Sequence, residues 1–296
     1  MPEGLGGELR MNEPMSRHTS WRTGGAADYM YLPRSKEDIV HLLGSLPETM
    51  PVSWIGLGSN LLVRDGGIRG MVIQTSSGLK QISALGDGRI YAESGVSSAN
   101  VAKAAASWRL AGVEFLASVP GSFGGALAMN AGAFGDEIWG HVESIECVDR
   151  TGQCEVQAKG AVPHGYRRVE LPAGRWILSA VLALDETGAG YDGQQIIREQ
   201  RARRNASQPV QTANAGSVFK NPDGDFAARL IERCGLKGYS IGDAVVSEVH
   251  ANFIINRGRA ATSMQIEALI DHIRNQVEEA TGVRLIPEVR IIGDRP

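Results

Sequence analysis

Between Ser35 and Leu46 the apolar residues Ile39, Leu42, Leu43 and Leu46 recur at helical spacing. Ser35, with Asp38 three positions on, supplies a start signal, so the pattern predicts a capped amphipathic helix. Pro51 then introduces Val52 to Ile55, a short β-prone run that ends at Gly56-Leu57-Gly58-Ser59-Asn60, and Gly70 to Ile73 reads as another strand. About the first dozen residues carry no such pattern and are expected to be loose. A second helix is predicted over Ser98 to Ala111, with Val101, Ala105 and Trp108 on one face and Gly112 as its stop. Val142 to Asp149 and Cys154 to Gln157, joined by Arg150-Thr151-Gly152-Gln153, predict a hairpin, and Trp176 to Leu184 a buried strand. Towards the C-terminus a helix over Asp225 to Cys234 stops at Gly235. A longer one opens with the box Thr262 to Gln265, carries Ile266, Leu269, Ile270, Ile273 and Val277, and stops at Gly282 before a last strand, Val289 to Ile292.

Composition narrows the function classes. The chain has 296 residues, 43% of them hydrophobic and 21% charged, which is a globular profile and sets disorder aside. Its formal net charge of -3 offers no field to gather a polyanion, so a DNA-packaging role is not expected. No apolar run reaches bilayer length, and Met1 to Glu13 lacks the order of a signal peptide. The expectation is a cytoplasmic protein, a monomer, with neither membrane nor nucleic acid as partner. Cys147, Cys154 and Cys234 form no CxxC pair, so no zinc site is expected and the thiols are expected to be reduced. The length suggests about two domains. The composition changes at Thr187-Gly188-Ala189-Gly190, ahead of the basic stretch containing Arg198, Arg201, Arg203 and Arg204, which marks a boundary. That stretch is either a solvated helix face or an aid to recruiting an anionic nucleotide.

The 37 glycines fall largely in clusters. Gly56-Leu57-Gly58-Ser59-Asn60-Leu61, after a strand, resembles a phosphate cradle, because glycine lets successive N–H groups face an anion. It is neither a Rossmann fingerprint nor a Walker A loop, since Leu61 stands where a third glycine would and no Lys-Ser/Thr follows. The second cluster runs from Pro120 through Gly121, Ser122, Gly124, Gly125 and Asn130 to Gly132, and could pass close beside a flat ligand. Two such loops favour an extended cofactor or a ligand with two phosphates.

The run His18 to Asp28, the GLGSNLLV loop with Asp65 to Gly70 after it, and the PGSFGGALAMNAG loop resemble the flavin half of the UDP-N-acetylenolpyruvylglucosamine reductase (MurB) family. Asn214 to Pro222, Gly235 to Gly238, His250 to Phe253 and Leu285 to Val289 resemble its substrate half. The resemblance runs from about His18 to Gly293 and implies an α+β fold: a two-part FAD-binding region of the vanillyl-alcohol-oxidase (PCMH) type plus an α+β substrate-binding domain. The expected parts are residues 1–75, joined by 286–296, and 76–189 for FAD, and 190–285 for substrate. The implied activity is reduction of UDP-N-acetylglucosamine enolpyruvate to UDP-N-acetylmuramate, with NADPH as co-substrate and FAD as carrier. Such a reaction leaves negative charge beside the substrate carboxylate, so it needs a cation and a proton donor.

Carried over by position, the resemblance makes Ser217 the proton donor, Arg167 the cation, and Glu288 an orienting group or a member of the proton relay. Tyr166-Arg167 is followed by Arg168-Val169-Glu170, which leaves the choice between Arg167 and Arg168 open, with Arg167 preferred for following the tyrosine. Lys220, Asn221 and Lys237 are candidates for the phosphates and hydroxyls of the UDP-sugar. His250 and Asn252 are expected to be structural. The short stretch between Trp176 and Gln194 points to the family's second type, in which some other residue takes the place of a clamping tyrosine. Two alternatives stand beside this reading: a flavin oxidase or dehydrogenase of the same fold, and a nucleotide-binding regulatory protein without redox chemistry.

Overall fold

A computed structural model describes residues 4–296 and shows mixed helices and strands. The helices are α1 (Lys36–Ser45), α2 (Ser98–Ser107), α3 (Phe123–Met129), α4 (Gly193–Ser207), α5 (Ala227–Arg233) and α6 (Ser263–Thr281). α1 starts as the sequence predicts, the Ser35 hydroxyl accepting from the Asp38 amide at 3.3 Å. At α6 both halves of the Thr262/Gln265 capping box form, and Gly282 closes the helix in the left-handed region at φ 73°. α2 is shorter than expected. Arg109 turns left-handed at φ 58°, and Leu110–Ala111 leaves the helix to pair with Asp185–Glu186. Gly112 therefore lies beyond that strand and does not cap α2.

The chain divides into two compact units, one formed by residues 1–10, 30–57 and 70–203, the other by 11–29, 58–69 and 204–296. The first contains a five-stranded antiparallel sheet in the order Cys154–Ala158, Val142–Asp149, Arg175–Ala183, Arg89–Glu93, Ile82–Gly86. The predicted hairpin is present, with the Asp149 carboxylate accepting from the Thr151 and Gln153 amides in its turn. Cys147 faces Glu155 and Cys154 faces Val148, so the two thiols are not paired; both are free, and burial pushes the Cys147 thiol up to about 11. α2 and α3 cover the sheet, burying Val101, Ala105, Phe123 and Leu127 with Trp139, Ile177 and Leu182. Elsewhere in this unit Lys36 of α1 donates to Glu146 at 2.7 Å, and the same carboxylate oxygen accepts from Ser179. Trp54 stacks on Trp176 at 5.4 Å. Residues expected to be loose instead open a strand, Glu8–Pro14. The Gly6 and Gly7 amides donate to Asp38 and to the Tyr31 hydroxyl, so hydrogen bonding orders a segment that has no apolar pattern.

The second unit is built from three separated pieces of chain. Its core gathers Trp21, Leu62, Val218, Phe219, Leu230, Ile266, Leu269, Ile270 and Ile273. The last strand, Arg290–Ile292, runs parallel to Leu61–Val63, and Ala244–Val246 pairs antiparallel with both Ser240–Ile241 and Ile254–Asn256. Asp65 receives the Ser263 and Met264 amides at 3.0 and 2.9 Å, tying the residues after the first glycine cluster to the start of α6.

Arg64 grips Glu267 through two hydrogen bonds of 2.9 Å, and Arg295 adds a third at 3.2 Å. The Arg64 guanidinium holds the Glu267 carboxyl below its ordinary 4.5. A folded value below the unfolded one stabilises the protein above that range, and the stabilisation is lost as pH falls through the folded value. Glu267→Gln is expected to lower stability at neutral pH by about 1 kcal/mol. In urea unfolding the gap from wild type should close as pH falls below the ordinary carboxylate range.

Candidate active site

In the first unit the two glycine clusters touch. A Cβ on Gly56 would overlap the Ser122 hydroxyl, and one on Gly124 would press on Ser94 at 2.6 Å. The second cluster is threaded beside Ser94 to Ser98: Phe123 N–H donates to Val96 O, Gly124 N–H to Ser94 O, and Ser98 N–H to Gly121 O. The Ser122 hydroxyl then caps α3 by accepting from Gly125 at 3.3 Å. This pairing leaves the Gly121 and Ser122 amides, among the described residues, with no protein acceptor. The buried hydroxyls of Ser94 and Ser98 likewise have no protein partner. A buried polar group without a partner is costly, so a donor-rich lining of this kind fits a group bearing phosphates.

Arg167 lies against the same cluster. Its two terminal nitrogens donate to Asn130 O at 3.1 Å and Gly132 O at 2.8 Å, and its backbone is left-handed at φ 51°. Asn130, itself left-handed at φ 47°, ends α3 and donates its amide to Glu137 and Gly165 O. Arg168 is exposed and pairs with Glu170 at 3.4 Å. Of the two adjacent arginines, it is Arg167 that is fixed to the glycine cluster.

The second unit holds the remainder of the first cluster and most other candidates. Gly58 is left-handed at φ 65°, and a Cβ there would overlap the His18 carbonyl. The Asn60 side chain donates to the Glu288 carbonyl at 3.0 Å, and Asn60 O accepts from Arg290 N–H. Glu288 N–H donates to Val218 O at 2.8 Å, and Lys220 N–H to Ile286 O at 2.9 Å, so the residues around Ser217 run antiparallel to the stretch around Glu288. Asn60, Ser217 and Glu288 are thereby set on one connected backbone frame. Asn221 accepts the Ala227 amide at 3.1 Å and steadies the start of α5. Lys237 donates to Glu232 at 2.8 Å. His250 packs edge-on to Phe253 at 4.8 Å, and burial holds its imidazole below the ordinary value. In the first unit Arg203 lies over the Phe134 ring, and Arg198 is 3.9 Å from Asp192.

Comparison with known proteins bears on what this arrangement serves. Residues 208–292 match the UDP-N-acetylenolpyruvoylglucosamine reductase C-terminal domain, and residues 27–156 match an FAD binding domain. The chain is 50% identical over 288 residues to the UDP-N-acetylenolpyruvoylglucosamine reductase of Alkalilimnicola ehrlichii, covering 97% of this chain and 96% of that one. The chain belongs to the UDP-N-acetylenolpyruvoylglucosamine reductase family. The reductase of Methylococcus capsulatus is 49% identical, over 96% of this chain and 92% of its own. The crystal structure of the reductase from Thermus caldophilus superposes with a TM-score of 0.80 at 29% identity, covering 98% of this chain and 99% of that chain.

The expected α+β class with a flavin-binding region and a distinct C-terminal domain thus stands, and the protein is a flavin-dependent oxidoreductase. The matched FAD binding domain gives FAD as the cofactor. Membership sets aside both the flavin oxidase or dehydrogenase of the same fold and the nucleotide-binding regulatory protein without redox chemistry. No helix among the described residues is long and apolar enough to cross a membrane. Sequence reasoning placed Asn60 with the cofactor, yet its side chain also holds the Glu288 backbone, and it left Asp65 without a role. An N-cap signal at Thr262 was legible, but a second acceptor arriving from a distant loop has no local signature.

The contact between the two glycine clusters is open to a direct test. Gly56→Ala should cost about 1–3 kcal/mol, seen as a lower Tm with weaker FAD retention. Adding Ser122→Ala removes the overlapping hydroxyl, and the double variant is expected to regain part of that Tm.

Proposed function

We propose that this chain reduces UDP-N-acetylglucosamine enolpyruvate to UDP-N-acetylmuramate at the expense of NADPH, a cytoplasmic step in peptidoglycan precursor synthesis. Family membership supports the reductase activity. The observation that carries the residue roles is the frame in the second unit, where Glu288 pairs with Val218, the residue after Ser217. Bound FAD supplies the hydride exchange between NADPH and the enol double bond. Residues 1–75 with 286–296, and residues 76–189, serve FAD in this reading, with Gly56 to Leu61 and Pro120 to Gly132 as its loops; residues 190–285 bind the UDP-sugar.

The protein's own groups manage charge and proton. Hydride addition at the carbon distal to the carboxylate leaves negative charge on the carbon beside it. Arg167 carries that charge: two backbone carbonyls fix the plane of its guanidinium, so little reorganisation is needed as charge develops. Ser217 delivers the proton to the carbanionic carbon. A serine hydroxyl is a weak acid, so its neighbours must stabilise the alkoxide or return a proton, and Glu288 serves that relay or orients the substrate. Lys220, Asn221 and Lys237 serve the diphosphate and sugar hydroxyls. For Lys237 this means releasing Glu232, an ion pair with both partners partly exposed and hence weak.

Anaerobic stopped-flow absorbance at about 450 nm separates the two half-reactions. Bleaching by NADPH, followed by rapid recovery on adding UDP-N-acetylglucosamine enolpyruvate, is the expected result; bleaching without recovery would refute the substrate assignment. Ser217→Ala should slow recovery by about three decades while leaving bleaching nearly intact. Arg167→Ala should slow recovery by about 10²- to 10³-fold. Arg168→Ala should stay within about threefold of wild type, because its ion pair is exposed; the reverse order would transfer the cation role to Arg168.

A further inference from the structure

The segment carrying Ser217 is held from two sides. On one side it pairs with the stretch around Glu288. On the other stands a single residue, Asn252, which is only 3% exposed. Its Oδ1 accepts the Phe219 N–H at 2.9 Å, and its Nδ2 donates to the Phe219 carbonyl at 2.8 Å. Its backbone carbonyl also accepts the Val218 N–H at 2.9 Å. A primary amide presents a donor and an acceptor in one plane, so Asn252 acts towards Phe219 as a neighbouring strand would.

Asn252 is itself anchored. Its N–H donates to His250 Nδ1 at 3.3 Å, the Ser247 hydroxyl accepts from the Val249 and His250 amides at 3.2 and 3.3 Å, and Ser247 N–H donates to Phe253 O at 2.8 Å. Val218 and Phe219 are 1% exposed, whereas Ser217, the next residue towards the N-terminus, is half-buried. Before it, Gly216 is left-handed at φ 75° with open space around its Cα. The backbone is therefore rigid on the Val218 side of Ser217, and Asn252 is the side chain that supplies the second wall.

We infer that Asn252 is a positioning residue for Ser217: it touches no reacting atom, and it fixes where the Ser217 hydroxyl stands relative to the carbon that takes the proton. This rests on the function proposed above. Misplacing a proton donor by a fraction of a hydrogen-bond length slows protonation without affecting steps that do not use it. Loss of general stability would instead weaken FAD retention and both half-reactions together.

Asn252→Ala should slow flavin reoxidation by UDP-N-acetylglucosamine enolpyruvate about 100-fold while flavin reduction by NADPH stays within about threefold. Asn252→Asp, which keeps the acceptor and loses the donor, should fall between. In a Ser217→Ala background the same change should cost no more than about twofold, because no hydroxyl remains to be placed. Equal loss in both half-reactions, reoxidation within threefold of wild type, or a full further cost on top of Ser217→Ala would overturn the inference. FAD absorbance and urea unfolding establish that each variant is folded, and Asn252→Asp carries the same comparisons where the alanine variant is not. Wild-type protein that bleaches with NADPH but does not recover with the enolpyruvyl substrate overturns the functional reading and this inference with it. Wild-type turnover with an unpartitioned Asn252 variant overturns the inference alone.

Discussion

Two hydrogen bonds tie Trp21 to the strand Ile254–Asn256, and the second unit is built around them. The Trp21 indole donates to Ile254 O at 2.8 Å, and the Asn256 side chain donates to Trp21 O at 2.7 Å while accepting from the Ala261 amide. Both residues are buried, so a polar group here that loses its partner cannot turn to solvent instead. These bonds join an early piece of chain to a late one, and Asp65 repeats the arrangement by receiving two amides at the start of α6. With those pieces fixed, Leu61–Val63 can pair with Arg290–Ile292, and Asn60 meets Glu288. The frame that carries Ser217 and Glu288 follows from these joints.

What the sequence disclosed depends on the range of the interaction that decides each element. α1, α6 and the hairpin over residues 142–158 were readable because their signals are local: a serine or threonine that accepts from the amide three positions on, a glycine past the last turn, a four-residue turn between alternating runs. The end of α2 was misread because a non-glycine residue, Arg109, adopts the left-handed conformation that Gly112 was expected to supply. Glu8–Pro14 was missed because its order comes from pairing with Ala26–Leu32, and from the Gly6 and Gly7 amides just before it bonding to Asp38 and Tyr31, and not from apolar periodicity. Propensity rules weigh neither effect.

The site shows the same division. Its glycine clusters and the segments around Ser217, Glu288 and Arg167 stood out as motifs, and the structure places Arg167 on carbonyls of the second cluster while Arg168 faces an exposed partner. The supports behind those motifs left no trace in the sequence. An asparagine whose amide serves a backbone thirty-three residues away reads, in isolation, as any buried polar residue. Such supports are visible only once the chain is folded, because their geometry is set by the residues they serve.

The discontinuous make-up of the second unit bears on how the protein is made. Residues 11–29 and 58–69 leave the ribosome well before their partners, α6 and the strand Arg290–Ile292. The nascent chain must therefore hold Trp21 and Leu62 without those partners until residues 204–296 have been made. Contacts of such sequence separation are slow to form and leave apolar surface open in the interval. The arrival of residues 204–296 is thus the step at which a growing chain becomes a committed fold.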